Sequence, residues 1–384
     1  MNSRERVLQT LNHKEPDRVP LDIGATFVTG IHRNAIIRWR QALKLPAKEV
    51  RLLEMIQQIA WVEDDMVEAL GIDAKPLTAG GSLTFQLELR DRGDETYFYD
   101  EWGIGWRMPK GHGLYYDMFH HPLAGNITIE NIDRSPAPDP TNPARFEGMS
   151  ERARKIAQVE KRAVVANQMT AGISEIAAWT RGYKDYYMDL AANEVSSGRL
   201  LDKVAEVKMV YWERALVELG ENVDVLMLGD DFAGQKTLLM SPKMWRKMIK
   251  PRYKVLLDFL HNRTQAKIFL HSCGSVREII PDLIDIGFDI LNPIQVSAAG
   301  MDTNELKREY GKDLVFWGGG VDTQEVLPHG TPDQVHDEVR RRLEDLMPGG
   351  GFVFSVVHNI QPDVPTENLM AMFKALCKYG RYSV

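Results

Sequence analysis

The hydrophobic positions of this chain change their spacing along its length. Residues 3–12, 31–43 and 51–70 carry apolar side chains three and four positions apart, which predicts an N-terminal segment of amphipathic helices. Between residues 83 and 108 apolar and polar positions alternate, which indicates antiparallel β-hairpins. Beyond residue 150 short apolar runs alternate with helical segments, and this order is typical of a parallel sheet.

Six predicted strands follow residue 150, and each of them is succeeded by a predicted helix. The strands lie at 163–166, 223–228, 266–270, 289–291, 314–317 and 352–355. A short apolar run at 19–23 and one more early strand raise the number of strands to about eight. About eight such units without a Gly-x-Gly-x-x-Gly fingerprint favour a closed (β/α)8 TIM barrel over an open dinucleotide-binding sheet.

Segment 83–145 is predicted to be a small β-hairpin insertion within a single domain that spans residues 1–384. The segment is too short to build its own core, and four prolines between residues 135 and 145 indicate a linker at its end. Its aromatic side chains could line a mouth over the barrel or form the core of the hairpins. They are Tyr97, Tyr99, Trp102, Trp106, Tyr115 and Tyr116.

The composition narrows the classes of function. The chain has a net charge of −7 and a pI near 5.9, which argues against nucleic-acid binding because that needs a basic face. No apolar run approaches the roughly 18 residues of a membrane span, and the N-terminus lacks the apolar stretch of a signal peptide. The two cysteines, Cys273 and Cys377, cannot build a disulfide framework, so we expect a protein of the reducing cytoplasm. Cys377 is expected to pack inside a helix.

Polar, small and metal-capable residues follow the predicted strands. In a (β/α)8 barrel the chemistry lies at the C-terminal ends of the strands, so these residues are expected to surround the substrate. The residues expected to contact it are Asp22, Asn167, Gln168, Asn292 and Gly319. The remaining candidates at these ends are Asp230, Asp231, His271, Cys273, Gln295, Asp322 and His358.

A His-x-Cys pair and a later histidine could form a metal site. His271 and Cys273 follow the strand at 266–270, and His358 follows the last strand. Three such ligands with an open fourth position describe a catalytic zinc site, in which zinc acts as a Lewis acid on a thiol or hydroxyl. The alternatives are a buried thiol beside a hydrogen-bonded histidine, and a His358 that acts in hydrogen bonding or acid–base chemistry without metal.

The pair Asp230 and Asp231 also has two interpretations. Adjacent carboxylates in a strand point to opposite sides, so one could face the cavity while the other caps the next helix. Together with His358 they are the catalytic candidates that would orient the substrate or carry a proton. The run Gly318–Gly320 is interpreted as room for a substrate near the backbone, because no Lys-Ser or Lys-Thr follows to support a phosphate cradle.

The order of these motifs resembles the uroporphyrinogen decarboxylase superfamily, and more narrowly its zinc-dependent, corrinoid-linked methyltransferase branch. The matching stretches are Arg4–Val7, Pro16–Pro20, Asp100–Gly103, Arg181–Leu190, Gly229–Asp231, Ser241-Pro242, His271–Gly274, Gly318–Asp322, His358–Pro362 and Pro365–Asn368. The resemblance implies a (β/α)8 barrel in which a His-x-Cys pair and a later cysteine bind zinc. His271 and Cys273 match the pair, whereas His358 stands at the place of the later cysteine.

The resemblance implies a cytoplasmic methyltransferase. It would move a methyl group between a small substrate, either a methyl donor or a methyl acceptor, and a corrinoid (cobalamin) cofactor on a partner protein. Zinc at His271, Cys273 and His358 would polarise the heteroatom of the substrate, and a homodimer is common in such families.

Two other functions stay open. Decarboxylases of this superfamily bind tetrapyrrole carboxylates through an N-terminal arginine segment, whereas here Gly24–Phe27 follows the first strand without that spacing of arginines. A metal-free decarboxylase of another carboxylated substrate is therefore one alternative, with Asp22, Asp230 and His358 as polar contacts. A non-catalytic corrinoid- or tetrapyrrole-binding protein is the other.

Overall fold

The computed structural model describes residues 1–382. The α-helices in chain order are α1 Ser3–Leu11, α2 Arg33–Ala42, α3 Asp64–Leu70, α4 Ile129–Arg134, α5 Met149–Arg154, α6 Ile173–Arg181, α7 Tyr183–Ala192, α8 Glu194–Leu219, α9 Pro242–Met248, α10 Lys250–His261, α11 Ile280–Ile286, α12 Thr303–Tyr310, α13 Val326–His329, α14 Pro332–Leu346 and α15 Thr366–Tyr379. The strands are β1 Leu52–Glu54, β2 Ile59–Ala60, β3 Ala74–Leu77, β4 Arg90–Arg92, β5 Glu95–Tyr99, β6 Gly105–Pro109, β7 Asp117–His120, β8 Ala163–Asn167, β9 Val225–Gly229, β10 Lys267–His271, β11 Ile290–Asn292, β12 Val315–Trp317 and β13 Phe352–Val353.

A parallel sheet of seven strands curls into the centre of the molecule, in the order β3-β8-β9-β10-β11-β12-β13. Residues 20–23 lie between its two edges. Leu21 forms a parallel bridge with Phe354 beside β13, and its carbonyl accepts the N–H of Asp73 beside β3 at 2.8 Å. This short eighth segment closes the sheet, so the fold is a (β/α)8 TIM barrel and the predicted fold class is confirmed.

The interior of the barrel explains why polar residues gather at one end of it. Side chains two positions apart on a strand point to the same face. Phe269 and Trp317 pack against each other inside the barrel, with ring centroids 5.6 Å apart. His271 is the next inward position after Phe269, and Asn292 is the next after the buried Ile290. The apolar interior therefore ends in a polar rim at the C-terminal ends of the strands.

A second, antiparallel sheet forms within the segment predicted as an insertion. Strands β4-β5-β6-β7 pair in chain order between residues 90 and 120. The Trp102 indole donates to Thr170 Oγ1 at 2.9 Å, and the rings of Trp106 and Trp179 meet edge to face with centroids 5.4 Å apart. These contacts hold the small sheet against the barrel segments that follow β8.

Two sequence expectations about local structure are wrong, and one strand that was expected without a position is now located. Residues 51–70 form β1, β2 and α3 instead of one helix, because the Glu54 carboxylate accepts two backbone N–H groups and makes a turn. The alternating residues 83–87 form no strand, and Leu83 is exposed. The missing early strand is β3, whose Lys75 is polar in sequence but is buried in ion pairs with two carboxylates.

Within residues 1–382 no helix combines the length and the apolar character that crossing a membrane requires.

Asp73 ties three chain segments together at the N-terminal end of the barrel. Its fully buried carboxylate accepts from Arg6 of α1 at 2.7 Å and from Arg18 at 2.7 Å. It also accepts the backbone N–H of Leu21 at 2.8 Å, beside the contact that closes the sheet. A buried carboxylate of this kind is stable only because each of its oxygens has cationic and hydrogen-bonded partners.

We expect Asp73→Asn to lower the free energy of unfolding by about 3 kcal/mol, because a neutral amide leaves Arg6 and Arg18 without their shared counter-ion. Urea denaturation followed by circular dichroism measures this change. The control is Glu130→Gln, which breaks an exposed ion pair with Arg134 and is expected to cost less than about 0.5 kcal/mol. Equal stability of the two variants would contradict the role assigned to Asp73.

Candidate active site

His271 is held in one orientation by a buried amide. It stands opposite Asn292 in the pairing of β10 with β11. The Asn292 amide nitrogen donates to the Trp317 carbonyl at 2.7 Å, so its oxygen is the atom that faces His271 Nδ1 at 2.6 Å. His271 Nδ1 therefore carries the proton, and the lone pair of Nε2 is left free on the opposite side of the ring.

Cys273 and His358 meet that free nitrogen. Cys273 Sγ lies 3.5 Å from His271 Nε2, and the ring centroids of His271 and His358 are 5.3 Å apart. One donor atom from each of the three residues lies within 4.8 Å of the other two, a group that could hold a metal ion. Zinc bonds of about 2.0–2.3 Å would place such atoms roughly 3.4–3.6 Å apart, so the separation of Cys273 from His271 already suits zinc.

Burial disfavours every charged form in this cluster. It lowers the pKa of His271 to about 4 and that of His358 to about 4. It also raises the pKa of the Cys273 thiol well above its ordinary value, with added repulsion from Asp231 and Glu175. A buried imidazole beside a half-buried imidazole and thiol, all three uncharged, offers a metal three ligands without a competing internal cation.

The neighbouring carboxylates have separate roles. Asp231 Oδ1 accepts the backbone N–H of Cys273 at 2.7 Å and lies 3.9 Å from His271 Nε2, at the wall of a cavity. Asp230 is fully buried and accepts the N–H groups of Ser174 and Glu175 at 2.7 and 2.9 Å. The helix that Asp230 caps is α6, which precedes it, whereas the sequence suggested the next helix.

Asp230 also accepts a hydrogen bond from the Tyr253 hydroxyl at 2.9 Å. Burial raises the pKa of Asp230 to about 7 in spite of these donors. Both oxygens of Asp230 are engaged inside the protein, so Asp230 links the end of β9 to the start of α6 and to Tyr253. Its catalytic role stays a prediction.

The other predicted contact residues are placed near the rim with most of their polar atoms engaged. Asp22 is buried, accepts from the Trp317 indole at 2.7 Å, and has a pKa raised by burial to about 6. Asn167 donates to the Ala25 carbonyl at 3.0 Å, and Gln168 both donates to the Gly229 carbonyl and lines the cavity. Their contact with a substrate stays a prediction.

The glycine run is used by the fold itself. Gly319 has φ +91°, and a Cβ there would meet Ile294 at 2.9 Å; a Cβ on Gly318 would meet Asn292 at 2.9 Å. Gly318 therefore lets the chain pass close to Asn292, which orients His271, and Gly319 lets it pass close to Ile294.

Two further candidates at the strand ends form hydrogen bonds within the fold. Asp322 accepts the backbone N–H of Glu325 at 3.0 Å. Gln295 accepts the backbone N–H of Gly274 at 2.6 Å.

Cys377 was expected to pack inside a helix, and this expectation is wrong. It is exposed on α15, because it follows the inward-facing Leu376.

A cavity of about 350 Å³ opens over the cluster, between the barrel rim and the small sheet. Trp106 and Tyr116 line it, as one interpretation of the aromatic residues suggested, while Tyr97 and Tyr99 pack on Phe119 away from it. Its wall carries carboxylates and no lysine or arginine among residues 1–382. The small sheet therefore roofs the candidate site.

Two charged residues of the site were not found from the sequence. Glu175 of α6 lines the cavity, and burial together with Asp231 and Asp230 raises its pKa well above the ordinary value. Lys208 of α8 is buried, donates to Gln168 Oε1 at 2.8 Å, and has a pKa lowered by burial to about 8. Both lie on helices and not at strand ends; a charge on an otherwise apolar helical face was the only available signal.

The fold and the cluster together define a (β/α)8 barrel protein with three potential metal ligands at the C-terminal ends of its strands. Comparisons with known proteins identify the family. Residues 102–379 match the family model of uroporphyrinogen decarboxylase (URO-D). The chain therefore belongs to the URO-D family.

Relatives of two kinds are found. One is a methylcobamide:CoM methyltransferase, MtaA, from Methanosarcina barkeri, 30% identical over 47% of this chain and 48% of that protein. Another is a uroporphyrinogen decarboxylase from Pseudoalteromonas translucida, 27% identical over 47% of this chain and 48% of that protein. The matches thus span about half the length of these relatives. Both are enzymes, so the family points to an enzyme without choosing between the two reactions.

A solved structure shares the whole fold. A methyltransferase from Methanosarcina mazei superposes with a TM-score of 0.63 at 19% identity, over 99% of each chain. At this identity the likeness shows the fold alone.

The buried histidine predicts a pH dependence of stability. Since the pKa of His271 is about 4 in the folded protein and near 6.5 when unfolded, the unfolded chain binds more protons between these values. The free energy of unfolding of metal-free wild-type protein, minus that of His271→Gln, should rise from pH 4 to 6.5, on the order of 2 kcal/mol. Above pH 6.5 the difference should be level.

Taking this difference removes the opposite contribution of Asp22 and Asp230, whose raised pKa values lower stability as pH increases. Urea denaturation at several pH values provides the measurement. A difference that stays level from pH 4 to 6.5 would show that His271 is not held in its neutral form.

Proposed function

We propose that this protein is a zinc-dependent methyltransferase, which moves a methyl group between a small substrate and a corrinoid carried by a partner protein. The observation that carries the proposal is the convergence of His271, Cys273 and His358, of which His271 and His358 line the roofed cavity. The relative named methylcobamide:CoM methyltransferase supports the reaction class.

The three residues fit zinc by their chemistry. Sulfur and imidazole nitrogen are its preferred ligands, and Asn292 presents the unprotonated nitrogen of His271 toward Cys273. Because burial keeps the Cys273 thiol protonated, a nearby cation is needed to make it a thiolate ligand. Bound zinc would supply Lewis-acid chemistry, which lowers the pKa of a thiol or hydroxyl held beside it.

The chain itself would position the substrate and accept its proton. Asp231 lines the cavity beside the cluster, and only one of its oxygens is engaged, by the Cys273 N–H. Burial raises its pKa, so this carboxylate is a stronger base than an exposed aspartate and suits the proton of a substrate thiol. The small sheet, through Trp106 and Tyr116, keeps bulk water away from the reacting atoms.

Decarboxylation is the competing function, because the family model and several relatives carry that name. A substrate with several carboxylates needs several fixed cations around it. The cavity wall in the described chain has carboxylates instead, which favours the methyltransferase.

The first experiment measures metal and methyl transfer together. Protein purified without chelator should contain about one zinc per chain and should transfer methyl groups between methylcobalamin and a thiol, followed by the visible spectrum of the corrinoid. His271→Ala and Cys273→Ser should lose most of the zinc and at least about 100-fold in rate, because each removes one of three ligands. His358→Cys should retain zinc.

Cys377→Ser is the matched control, since that thiol is exposed on α15 and does not belong to the cluster. It should keep both zinc and activity. Wild-type protein with far less than one zinc per chain, and a His271→Ala variant with undiminished activity, would rule out the zinc mechanism.

A further inference from the structure

The wall of the cavity has an unusual charge balance. Three carboxylates, Asp117, Glu175 and Asp231, line it, and within residues 1–382 no lysine or arginine does. Lys208 is the nearby internal cation, but its ammonium is engaged by Gln168 Oε1 at 2.8 Å and by the Thr170 carbonyl at 3.1 Å. A ligand in the cavity therefore meets carboxyl groups and no basic side chain of the described residues.

A zinc ion would not remove this excess. Its two positive charges would be offset by the Cys273 thiolate and by Asp231, which lies against the cluster through the Cys273 N–H. Glu175 would still face the cavity without a partner cation, whereas Asp117 is exposed to solvent. Burial disfavours the charged form of the Glu175 carboxyl, and a cationic ligand beside it would stabilise that form.

Aromatic rings stand beside Glu175. Trp179 follows it by one turn of α6, and both side chains line the cavity. Trp106 of the small sheet meets Trp179 at an interplanar angle of 86°, so the two rings form a right-angled corner. The Tyr183 hydroxyl accepts from the Trp179 indole at 2.9 Å and adds a third ring. Faces of tryptophan attract ammonium groups, and several such faces with a carboxylate recognise methylated ammonium.

We propose that the substrate of this site carries an ammonium group, primary or N-methylated. The group binds between the Trp106–Trp179 corner and Glu175, while the reacting heteroatom of the substrate lies at His271, Cys273 and His358. This inference rests on the proposed methyltransferase and names the class of its substrate. The cavity of about 350 Å³ suits a small molecule that has these two groups at its two ends.

Three thiols that differ mainly in the charge of the distal group provide the test. They are thiocholine, 2-mercaptoethanol and 2-mercaptoethanesulfonate, which are cationic, neutral and anionic. Zinc-loaded protein should bind thiocholine at least about tenfold more tightly than the sulfonate by calorimetry, because carboxylate and aromatic contacts favour the cation. The same order should appear in kcat/KM for methylation by methylcobalamin.

Variants separate charge recognition from other differences between the thiols. Glu175→Gln and Trp179→Leu should each reduce the preference for thiocholine over 2-mercaptoethanol by about five- to tenfold, measured both as the ratio of affinities (1/Kd) and as the ratio of kcat/KM. The exposed Glu130→Gln variant should leave the ratio at the wild-type value. Thiols that bind equally well, a preference for the sulfonate, or ratios unchanged in both variants would overturn the proposal.

The two proposals can fail separately. If thiocholine binds preferentially and Glu175→Gln removes the preference, but no thiol is methylated, the cation site stands and the methyltransferase is refuted. If all three thiols are methylated with equal kcat/KM, the methyltransferase stands and the cation site is refuted.

Discussion

The hydrogen bond from His271 to the buried amide of Asn292 is the constraint on which the candidate site depends. The Trp317 carbonyl takes the amide N–H, so the amide oxygen must face His271 and the ring can have only one tautomer. The free nitrogen then points at Cys273. His271, Asn292 and Trp317 lie on the adjacent strands β10, β11 and β12. The pairing of these strands therefore fixes which nitrogen of His271 is free to bind a ligand.

The same strands also set how deep the polar residues lie. The inward positions of the barrel change from Phe269 to His271 within two residues, so the site lies directly on an apolar floor. Polar groups at this boundary are costly to bury unless they are paired. The Asp230 carboxylate accepts hydrogen bonds from the N-terminal turn of α6 and from the Tyr253 hydroxyl. Asp231 and Glu175, in contrast, face the cavity. The groups left with incomplete pairing are thus the ones that a ligand would meet.

The sequence predicted the barrel and its rim because both follow from short-range patterns. Apolar runs of strand length mark the parallel strands, and the residue after each run falls at the rim, which located His271 and His358 without tertiary information. The position of β3 was not predicted because Lys75 and Pro76 interrupt its apolar run. Burial of Lys75 is stabilised by the carboxylates of Asp64 and Glu160, which no local pattern around β3 reveals. Glu175 and Lys208 were not predicted for a related reason. Helix α6 brings Glu175 to the cavity wall and α8 brings Lys208 to Gln168, and sequence spacing within a helix carries no sign of the rim.

Zinc K-edge X-ray absorption of the protein as purified tests the central claim most directly. We expect one sulfur ligand at about 2.3 Å from Cys273, and two or more nitrogen or oxygen ligands at about 2.0–2.1 Å that include His271 and His358. The sulfur contribution should disappear in Cys273→Ser and double in His358→Cys. A zinc ion with only nitrogen and oxygen neighbours in the wild-type protein, or a spectrum unchanged by both substitutions, would contradict the account.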